Sequence, residues 1–474
     1  MKYIHIISGI IVGLAVTSCK LDYNPTDAIA NSTLTEDDYQ YLLTGVYDGA
    51  QQFSMGLQNV QDDVAADNLN SRSWCTDIDN NTCTGTSYNI NGWWNQLYYR
   101  IQLANNLVNL LEAKTSQTTQ DMETEAQARL IRAWLYQRVV TFWGDAPLVK
   151  NSDEAEGCSR APEADIWKFI KEDLEYAVAH APAYSSSKYA SDMAAKALLA
   201  RTLLIAPTGV QDKEKAKQLA EEVIADGRFV LSDNFEDVFH KKTSKEIILA
   251  WENNSSDSGS PGWFLRSNLV NNYNNTNGAG SAGYGDLGRY EFPVDLALWK
   301  AFEEGDTRKA GSVRHLTYQG KETYDVTKFP SYNGDDPYPV ARIAEMYLVS
   351  AEAQGYPGGL IRLNELRAKR RLPALTTSEV NNEDEFIARI MQERRVEFIA
   401  EGFRWYDLRR WFRSGEAGKQ AVLALRKYQA GEATGSRPTA SEHMNISEDG
   451  HELLWPISTS ARDNNPNLTQ NPGY

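Results

Sequence analysis

Five aromatic residues stand in segments whose other residues are mostly polar: Trp74, Tyr88, Trp263, Tyr273 and Tyr284. Segment 59–91 is rich in Asp, Asn, Thr and Ser, and segment 253–290 is rich in Gly, Asn and Ser. Both are predicted to be long loops. An aromatic ring stacks on the apolar C–H face of a sugar, while neighbouring amides and carboxylates hydrogen-bond the hydroxyls. We therefore predict one carbohydrate-binding site built from both segments, with Trp74, Trp263 and Tyr284 as the stacking platform. The alternative is that these rings fold back onto the protein.

The motifs that could carry catalysis each lack a part that the chemistry needs. Gly278–Gly283 has the glycine spacing of a dinucleotide-binding loop, but no strand precedes it. His451 and Glu452 lack the second histidine of a zinc-protease helix, and Ser185–Lys188 has no supporting motif. The carboxylates form no recognisable glycosidase pair. We predict no catalytic residue, no metal site and no cofactor.

One acidic segment leaves a calcium ion open as an alternative. Asp77, Asp79 and Asn81 have the spacing that opens a calcium-binding loop. However, Thr82 stands where such a loop needs glycine, and no Glu follows at the closing position. We favour a loop without the ion.

A run of charged residues extends from Arg389 to Arg410. Within it, Glu393, Glu397 and Glu401 follow one another at the spacing of side chains along one helix face. The run has two interpretations: an anion-binding site, or a network of salt bridges that joins two helices. We favour the network.

The composition limits the class of ligand. The chain has 474 residues, 42% of them hydrophobic, which is enough for a large core and for more than one domain. Its net charge is −16, whereas phosphate binding requires clustered Lys and Arg. This balance argues against nucleic acid and favours a neutral or cationic ligand.

The first residues have the pattern of an export signal. Lys2 precedes an apolar stretch, 4–16, that is too short to span a membrane, and small residues then lead to Cys19. This arrangement is typical of a bacterial lipoprotein signal. We predict that residues 1–18 are removed and that Cys19 carries a lipid anchor, which places the protein outside the cytoplasm. The alternative is an ordinary signal peptide.

Three further cysteines are present. Cys75 and Cys83 lie in the same polar segment, so outside the cytoplasm they form either a small disulfide loop or two free thiols. Cys158 is left over and is predicted to be a free thiol. Their spacing does not suggest a zinc site.

A helix is predicted over Ala126–Trp143, and the other helices are expected to pack around it. Apolar residues occur on nearly all of its sides, and such a helix is buried on more than one side. It should therefore be the middle layer of a helical stack. Arg129, Arg132 and Arg138 interrupt it and need carboxylate or carbonyl partners where they are buried. Gly144 is expected to end the helix.

Pairs of helices are predicted around this layer. A helix is expected over Gly92–Leu111, and a helical hairpin over Asp192–Asp226 is roughly the size of a tetratricopeptide repeat. Two further helix pairs are predicted, over Val340–Arg371 and Glu383–Phe412. The predicted fold class is mainly α, with tetratricopeptide-repeat-like paired helices, long loops and a few small strands. We treat 19–474 as one domain made of three parts: an N-terminal part (20–250), a loop-rich insert (253–290) and a C-terminal part (291–474).

Four segments resemble those of one protein family. They are Trp94–Val108, Glu125–Val149 with its Gly-Asp-Ala-Pro, Glu393–Trp411, and Leu453–Tyr474 with its Trp-Pro-Ile and Asn-Pro-Gly-Tyr. Their sequences and their order are similar to those of the SusD/RagB family of outer-membrane nutrient-binding lipoproteins. Ser458 is a departure, since the family has Pro there.

The resemblance implies a SusD-like fold and a function. Such a protein is lipid-anchored to the outer membrane at the cell surface, binds oligosaccharide or polysaccharide, and delivers it to a SusC-like TonB-dependent transporter; it is not an enzyme. Two alternatives stay open: a surface lipoprotein that binds peptides or acts as a protein scaffold, and a surface glycosidase. The missing catalytic motifs disfavour the glycosidase, and the aromatic loops favour a ligand-binding protein over a pure scaffold.

Overall fold

The computed structural model describes residues 34–53, 59–71, 74–151, 157–241, 243–253, 291–318, 321–331, 334–427 and 444–474. Four predicted functional residues lie outside the described residues: Cys19, Trp263, Tyr273 and Tyr284. The other members of the predicted sets are described: Trp74, Tyr88, Cys75 and Cys83.

Helices form most of the described structure, as the mainly α fold class predicted. In chain order they are α1 (Glu36–Phe53), α2 (Asn59–Ala65), α3 (Thr76–Asp79), α4 (Tyr88–Glu112), α5 (Thr119–Trp143), α6 (Glu163–His180), α7 (Asp192–Ile205), α8 (Lys213–Ala225), α9 (Asp237–His240), α10 (Leu296–Ala301), α11 (Thr307–Ser312), α12 (Ile343–Gln354), α13 (Leu360–Lys369), α14 (Glu383–Glu397), α15 (Arg404–Phe412), α16 (Glu416–Leu423) and α17 (Thr459–Asn464). None of the described helices combines the length and the apolar character that crossing a membrane requires.

The described strands form two separate antiparallel pairs. They are β1 (Ile247–Trp251), β2 (Val313–Tyr318), β3 (Lys321–Val326) and β4 (Tyr338–Arg342). β1 pairs with β4, with Trp251 opposite Tyr338, and β2 pairs with β3, with Val313 opposite Val326. Every residue of β1 and β4 is buried, so this pair joins the two halves of the chain inside the core.

Helix α5 is the middle layer of the helical stack. Every residue of Leu130–Trp143 is buried, and the helix packs against α1, α4 and α6. It begins at Thr119, earlier than predicted, because a capping box starts it. Asp121 N–H donates to the Thr118 hydroxyl oxygen, and Thr118 N–H donates to the Asp121 carboxylate. The helix ends at Gly144, whose φ of 67° favours glycine.

The three arginines of α5 have the partners that burial requires. Arg132 donates from Nε and Nη2 to the two Asp173 oxygens, both at 2.8 Å. Arg129 donates to the same carboxylate at 2.9 Å. Arg138 donates from both terminal nitrogens to the Gly402 carbonyl oxygen, at 2.6 Å and 2.8 Å. The guanidiniums thus connect α5 to its neighbours without leaving a buried charge unpaired.

A buried group of charged side chains, here the central ionic cluster, lies where the two halves of the chain meet. Arg342 contacts Glu246 at 3.1 Å, Glu397 at 3.0 Å and Glu401 at 2.8 Å. Arg370 contacts Glu246 at 3.0 Å and Glu397 at 2.8 Å. All five side chains are buried. Within the charged run itself, Arg394 of α14 contacts Asp407 of α15 at 2.7 Å, so the interpretation as salt bridges that join two helices is confirmed.

The segment 59–91, predicted as a long loop, instead contains α2, α3 and the first turn of α4. The prediction was wrong because polarity does not mark solvent exposure here. Four of its acidic residues are buried: Asp62, Asp63, Asp67 and Asp79. Asp67 lies 3.0 Å from Arg395 and 2.7 Å from Arg404. Burial alone raises the pKa of a carboxyl, but these two guanidiniums outweigh it and hold the pKa of Asp67 at about 2.

Residues 453–474 close over the end of α5. The Trp455 ring stacks on Phe142 with centroids 4.2 Å apart, and Trp455 N–H donates to the Phe142 carbonyl oxygen at 2.6 Å. Asn471 Nδ2 donates to the Trp143 carbonyl oxygen at 3.0 Å. The segment thus provides partners for carbonyl groups that a helix end leaves unpaired.

Two segments distant in sequence are joined beside α2. Leu69 and Val294 form an antiparallel bridge, and Asn70 Nδ2 donates to Asp295 Oδ2 at 3.1 Å. Asp295 also caps α10, since its Oδ1 accepts from Ala297 N–H at 2.7 Å. Burial raises the pKa of Asp295 to about 7, although these hydrogen bonds lower it.

We expect Glu397→Gln to lower the free energy of unfolding by roughly 3–5 kcal/mol, because it removes the charge that balances Arg342 and Arg370 in a buried site. Chemical denaturation followed by circular dichroism measures the change. Glu175→Gln is the matched control, because the pair of Glu175 with Lys171 is exposed and such pairs contribute little. Equal effects of the two substitutions would contradict the role given to the cluster.

We expect the stability of Asp295→Asn, relative to the natural protein, to increase as the pH rises from about 4 to 8. The folded pKa of Asp295 is about 7, above the unfolded value of about 3.9, so the protonated group stabilises the fold. That contribution is complete below about pH 4 and is lost as the pH rises through 7, whereas Asn does not ionise. Denaturation of both proteins across this range tests it; a constant difference would show that Asp295 does not titrate there.

Candidate ligand-binding site

Trp74 is exposed, and its backbone is held from two directions. The residue is 41% exposed. Its N–H donates to Glu291 Oε1 at 2.7 Å, and its carbonyl oxygen accepts from Asn89 Nδ2 at 3.2 Å. Ser71 Oγ donates to the same Glu291 oxygen at 2.8 Å. The buried Glu291 carboxylate therefore fixes the turn that carries the Trp74 ring.

Tyr88, the other described aromatic of the predicted site, is 89% exposed. It is the first residue of α4, not a loop residue as predicted. The next residue, Asn89, links it to Trp74: its Nδ2 donates to the Trp74 carbonyl oxygen, and its Oδ1 accepts from Gln61 Nε2 at 3.3 Å. Asn89 therefore connects the turn of Trp74 to the first turn of α4, and we treat the two exposed rings and this amide as one candidate surface.

The described flanks of the two predicted loops meet at this surface. Glu291 directly follows segment 254–290, and it contacts Ser71 and Trp74 through one carboxylate oxygen. Glu291 and Trp74 are 217 residues apart in the sequence. A site formed by both segments requires that they lie close together, and these contacts meet that requirement. The roles of three residues beyond the flank stay predictions: Trp263, Tyr273 and Tyr284.

Asp79, a member of the candidate calcium loop, already has a cationic partner. Lys427 Nζ lies 2.6 Å from Asp79 Oδ1, and Asp79 Oδ2 accepts from Ser71 N–H at 3.0 Å. The Lys427 ammonium therefore provides the positive charge that an ion would bring to Asp77, Asp79 and Asn81. This contact favours the loop without calcium.

Within the described residues, one group of ligand-type side chains is close enough to share a metal ion: Asp449, His451 and Glu452. Asp449 Oδ1 lies 2.8 Å from His451 Nδ1. Ser447 Oγ lies 2.6 Å from Asp449 Oδ1 and 2.7 Å from Glu452 Oε2. These contacts are those of a hydrogen-bonded turn, so we assign no ion to it.

Cys75 and Cys83 are both buried, and the structure contains them as free thiols, not as the disulfide that was one of the two alternatives. Burial raises the pKa of both thiols above the usual value. Because oxidation proceeds through the thiolate, this environment protects the pair. Cys158 is half-buried.

A cleft of about 750 Å³ lies between the α7–α8 turn and helices α14 to α16. Four of the charged side chains at its wall pair with one another, Arg409 with Glu163 and Arg410 with Glu352. The Tyr406 hydroxyl donates to a backbone carbonyl oxygen at 2.9 Å. Because these groups satisfy one another, we assign the ligand to the exposed aromatic surface and not to this cleft.

Sequence reasoning missed three residues at or near this surface: Asn89, Glu291 and Tyr99. A contact between positions as far apart as Glu291 and Trp74 leaves no periodic signal in the chain. Tyr99, which is 63% exposed, did leave a signal, because it follows Tyr88 by about three helical turns. The predicted helix begins at Gly92, however, and so excludes Tyr88.

Two family models match the chain. One, described as the SusD family, matches residues 317–474. The other, described as starch-binding and associating with the outer membrane, matches residues 21–204. The matches therefore fall in both halves of the chain.

Curated relatives span most or all of the chain. A SusD-like protein from Bacteroides ovatus is 26% identical over 379 residues, which cover 70% of this chain and 67% of that protein. SusD-like protein P38 from Formosa agariphila is 24% identical, and the match covers 100% of this chain and 99% of that protein.

Solved structures share the fold. A SusD superfamily protein from Bacteroides vulgatus has a TM-score of 0.76 at 21% identity, covering 93% of this chain and 99% of that one. A laminarin-binding SusD-like protein has a TM-score of 0.70 at 22% identity, with 92% and 99% covered. Surface glycan-binding protein A from Bacteroides fluxus has a TM-score of 0.72 at 19% identity, with 93% and 100% covered. With family matches in both halves and this shared helical fold, the protein belongs to the SusD-like family.

Proposed function

We propose that the protein is a cell-surface lipoprotein that binds oligosaccharide or polysaccharide and delivers it to a SusC-like TonB-dependent transporter of the outer membrane. The observation that carries the proposal is the pair of exposed rings, Trp74 and Tyr88, beside the Asn89 amide. The rings supply flat apolar faces for sugar C–H groups, and amides supply donors and acceptors for hydroxyls. The protein acts as a binder without catalysis.

The support of Trp74 favours a preformed site. Its backbone bonds to Asn89 of α4 and to Glu291, which is 217 residues away in the sequence, so the turn keeps its position without a ligand. A group that is already in place loses little entropy on binding. Because a few stacking contacts and water-exposed hydrogen bonds are weak, we expect dissociation constants on the order of micromolar to millimolar.

The ligand is expected to be uncharged. The chain carries a net charge of −16, which repels sulfated and carboxylated glycans over several ångströms. Among proteins of similar fold, one is named for binding laminarin, and another is named as a surface glycan-binding protein. A neutral polysaccharide or its oligosaccharides therefore fit this chain best.

Delivery to a transporter requires that the protein stay at the membrane surface. We assign this to a lipid on Cys19, which follows an apolar stretch of signal length. The family model that matches residues 21–204 is described as associating with the outer membrane, which supports the assignment. Stacked helix pairs offer the extended surface on which a large partner can dock.

We expect Trp74→Ala to weaken glycan binding about fivefold or more, because one stacked ring contributes roughly 1 kcal/mol. Calorimetry with a panel of neutral oligosaccharides measures the affinity, and circular dichroism measures the Tm, which should change little because the ring is exposed. Trp74→Phe keeps a ring and should retain most of the affinity. Undiminished affinity in both Trp74→Ala and Tyr88→Ala would place the site elsewhere.

We expect Cys19→Ala to move the protein from the membrane fraction to the soluble fraction, because the variant lacks the thiol that carries the lipid. Cell fractionation and the intact mass of the mature protein measure this. Cys158→Ala is the matched control, since it also removes a cysteine thiol but lies outside the signal segment. An unchanged fractionation, with no acyl mass on the natural protein, would refute the anchor.

A further inference from the structure

Helix α4 carries a line of exposed residues that continues from Tyr88. Asn95, Tyr99 and Asn106 are exposed on the same helix. At 3.6 residues per turn, each of these positions lies within roughly 20° of Tyr88 around the helix axis. The second ring, Tyr99, lies about 16 Å from Tyr88 along the axis. The exposed face therefore extends beyond the site proposed at Trp74 and Tyr88.

This face of α4 is uncharged. From Tyr88 to Leu111 the helix contains one charged residue, Arg100, in a chain in which 24% of residues are charged. Arg100 is buried: its Nε donates to the Gly49 carbonyl oxygen at 2.6 Å, and its Nη1 donates to the Gln96 carbonyl oxygen at 2.9 Å. The outer face of a solvated helix ordinarily carries charged residues. An uncharged face made of Tyr, Asn and Gln therefore needs a reason other than solubility.

The amides along the line retain hydrogen-bonding capacity. Gln102 Nε2 donates to Asn106 Oδ1 at 2.7 Å, which leaves the Gln102 oxygen to accept and the Asn106 NH₂ group to donate. The side-chain oxygen of Gln96 accepts from Arg100, which leaves the Gln96 NH₂ group to donate. Because a sugar hydroxyl both donates and accepts, it can use both kinds of group.

Gly92 leaves the helix backbone open between the two rings. It lies on the exposed side of α4, one turn after Tyr88, and a Cβ atom there would meet nothing within 4 Å. Glycine inside a helix costs about 1 kcal/mol relative to alanine, and packing does not require it here. A residue without a side chain allows close approach of a ligand to the backbone.

We propose that this face, the α4 strip (Tyr88, Gly92, Asn95, Tyr99 and Asn106), is a second carbohydrate-binding subsite, which holds further sugar residues of the chain bound at Trp74. The proposal rests on the proposed function, because both subsites share Tyr88. The ligand class is a long, uncharged polysaccharide. No disaccharide spans two rings about 16 Å apart, and a strip without Lys or Arg offers no partner to sulfate or carboxylate groups.

A protein partner fits the strip less well. Protein interfaces centre on Trp, Tyr or Arg anchors, and aliphatic side chains fill the space around them. The strip has two tyrosines but no aliphatic residue to fill the space around them, and its other members are amides and one glycine. Continuity with the Trp74 surface, through Tyr88 and Asn89, favours one extended glycan as the occupant.

The test compares ligands of different length. The natural protein, Trp74→Ala, Tyr99→Ala and Gly92→Lys are titrated with laminarin, with soluble starch, and with the disaccharides of the same linkages. We expect Tyr99→Ala to weaken binding of the polysaccharide about fivefold, the effect of one lost ring, and to leave disaccharide binding unchanged. Trp74→Ala should weaken both.

Gly92→Lys is the second variant against the strip. Lys is a better helix former than Gly, so α4 should keep its structure, while the long charged side chain obstructs the track. We expect a loss of polysaccharide affinity similar to that of Tyr99→Ala, with an unchanged Tm. Tyr189→Ala is the control, because it removes a tyrosine that is 55% exposed and lies outside α4.

The outcomes separate the two proposals. Full polysaccharide affinity in Tyr99→Ala and Gly92→Lys, with both ligands weakened by Trp74→Ala, overturns the strip and leaves the proposed function standing. Equal losses for both ligand lengths in Gly92→Lys also overturn it. If Tyr99→Ala keeps its glycan affinity but no longer retains the transporter in a pull-down, the strip is a protein contact instead. A natural protein that binds neither polysaccharide contradicts both proposals.

Discussion

The central ionic cluster is the interaction on which the rest of the fold depends. Removing a charge from water costs several kcal/mol, and the cost is offset only when every partner is in place. Here Arg342 and Arg370 need Glu246 from one half of the chain and Glu397 from the other. An arrangement that displaces one half leaves a buried charge unpaired, so the cluster selects one way of assembling the halves. The contact between Glu291 and Trp74, and thus the ligand surface, requires that assembly.

Local periodicity explains which parts of the fold could be predicted. The all-round apolar pattern predicted that α5 is the middle layer. Burial of its arginines predicted carboxylate or carbonyl partners, and Asp173 is such a partner for Arg132 and Arg129. The prediction failed where polar residues are buried by distant partners. Asp67 and Arg404, for example, are 337 residues apart in the sequence, and no local pattern indicates such a pair.

The candidate site, like the fold, could be predicted where the signal is local and not where it depends on distant contacts. An aromatic residue among polar neighbours is visible in the sequence, and Trp74 and Tyr88 were selected on that basis; both are exposed. The residues that hold Trp74, Glu291 and Asn89, act through contacts that only the folded chain brings together. Tyr99 was missed for a different reason: helix boundaries are the least certain part of a periodic pattern, and a start at Gly92 separates the two rings.

The closure of α5 by residues 453–474 determines the order in which the protein can fold. Asn471 and Trp143 are 328 residues apart in the sequence. The entropy of closing so long a loop is lost before the contact forms, so contacts of this kind form late and slow the folding. Helix α5 is synthesised early, but its aromatic end, with Phe142, stays uncovered until Trp455 has been made. The helix at the centre of the stack is therefore among the last to complete its packing.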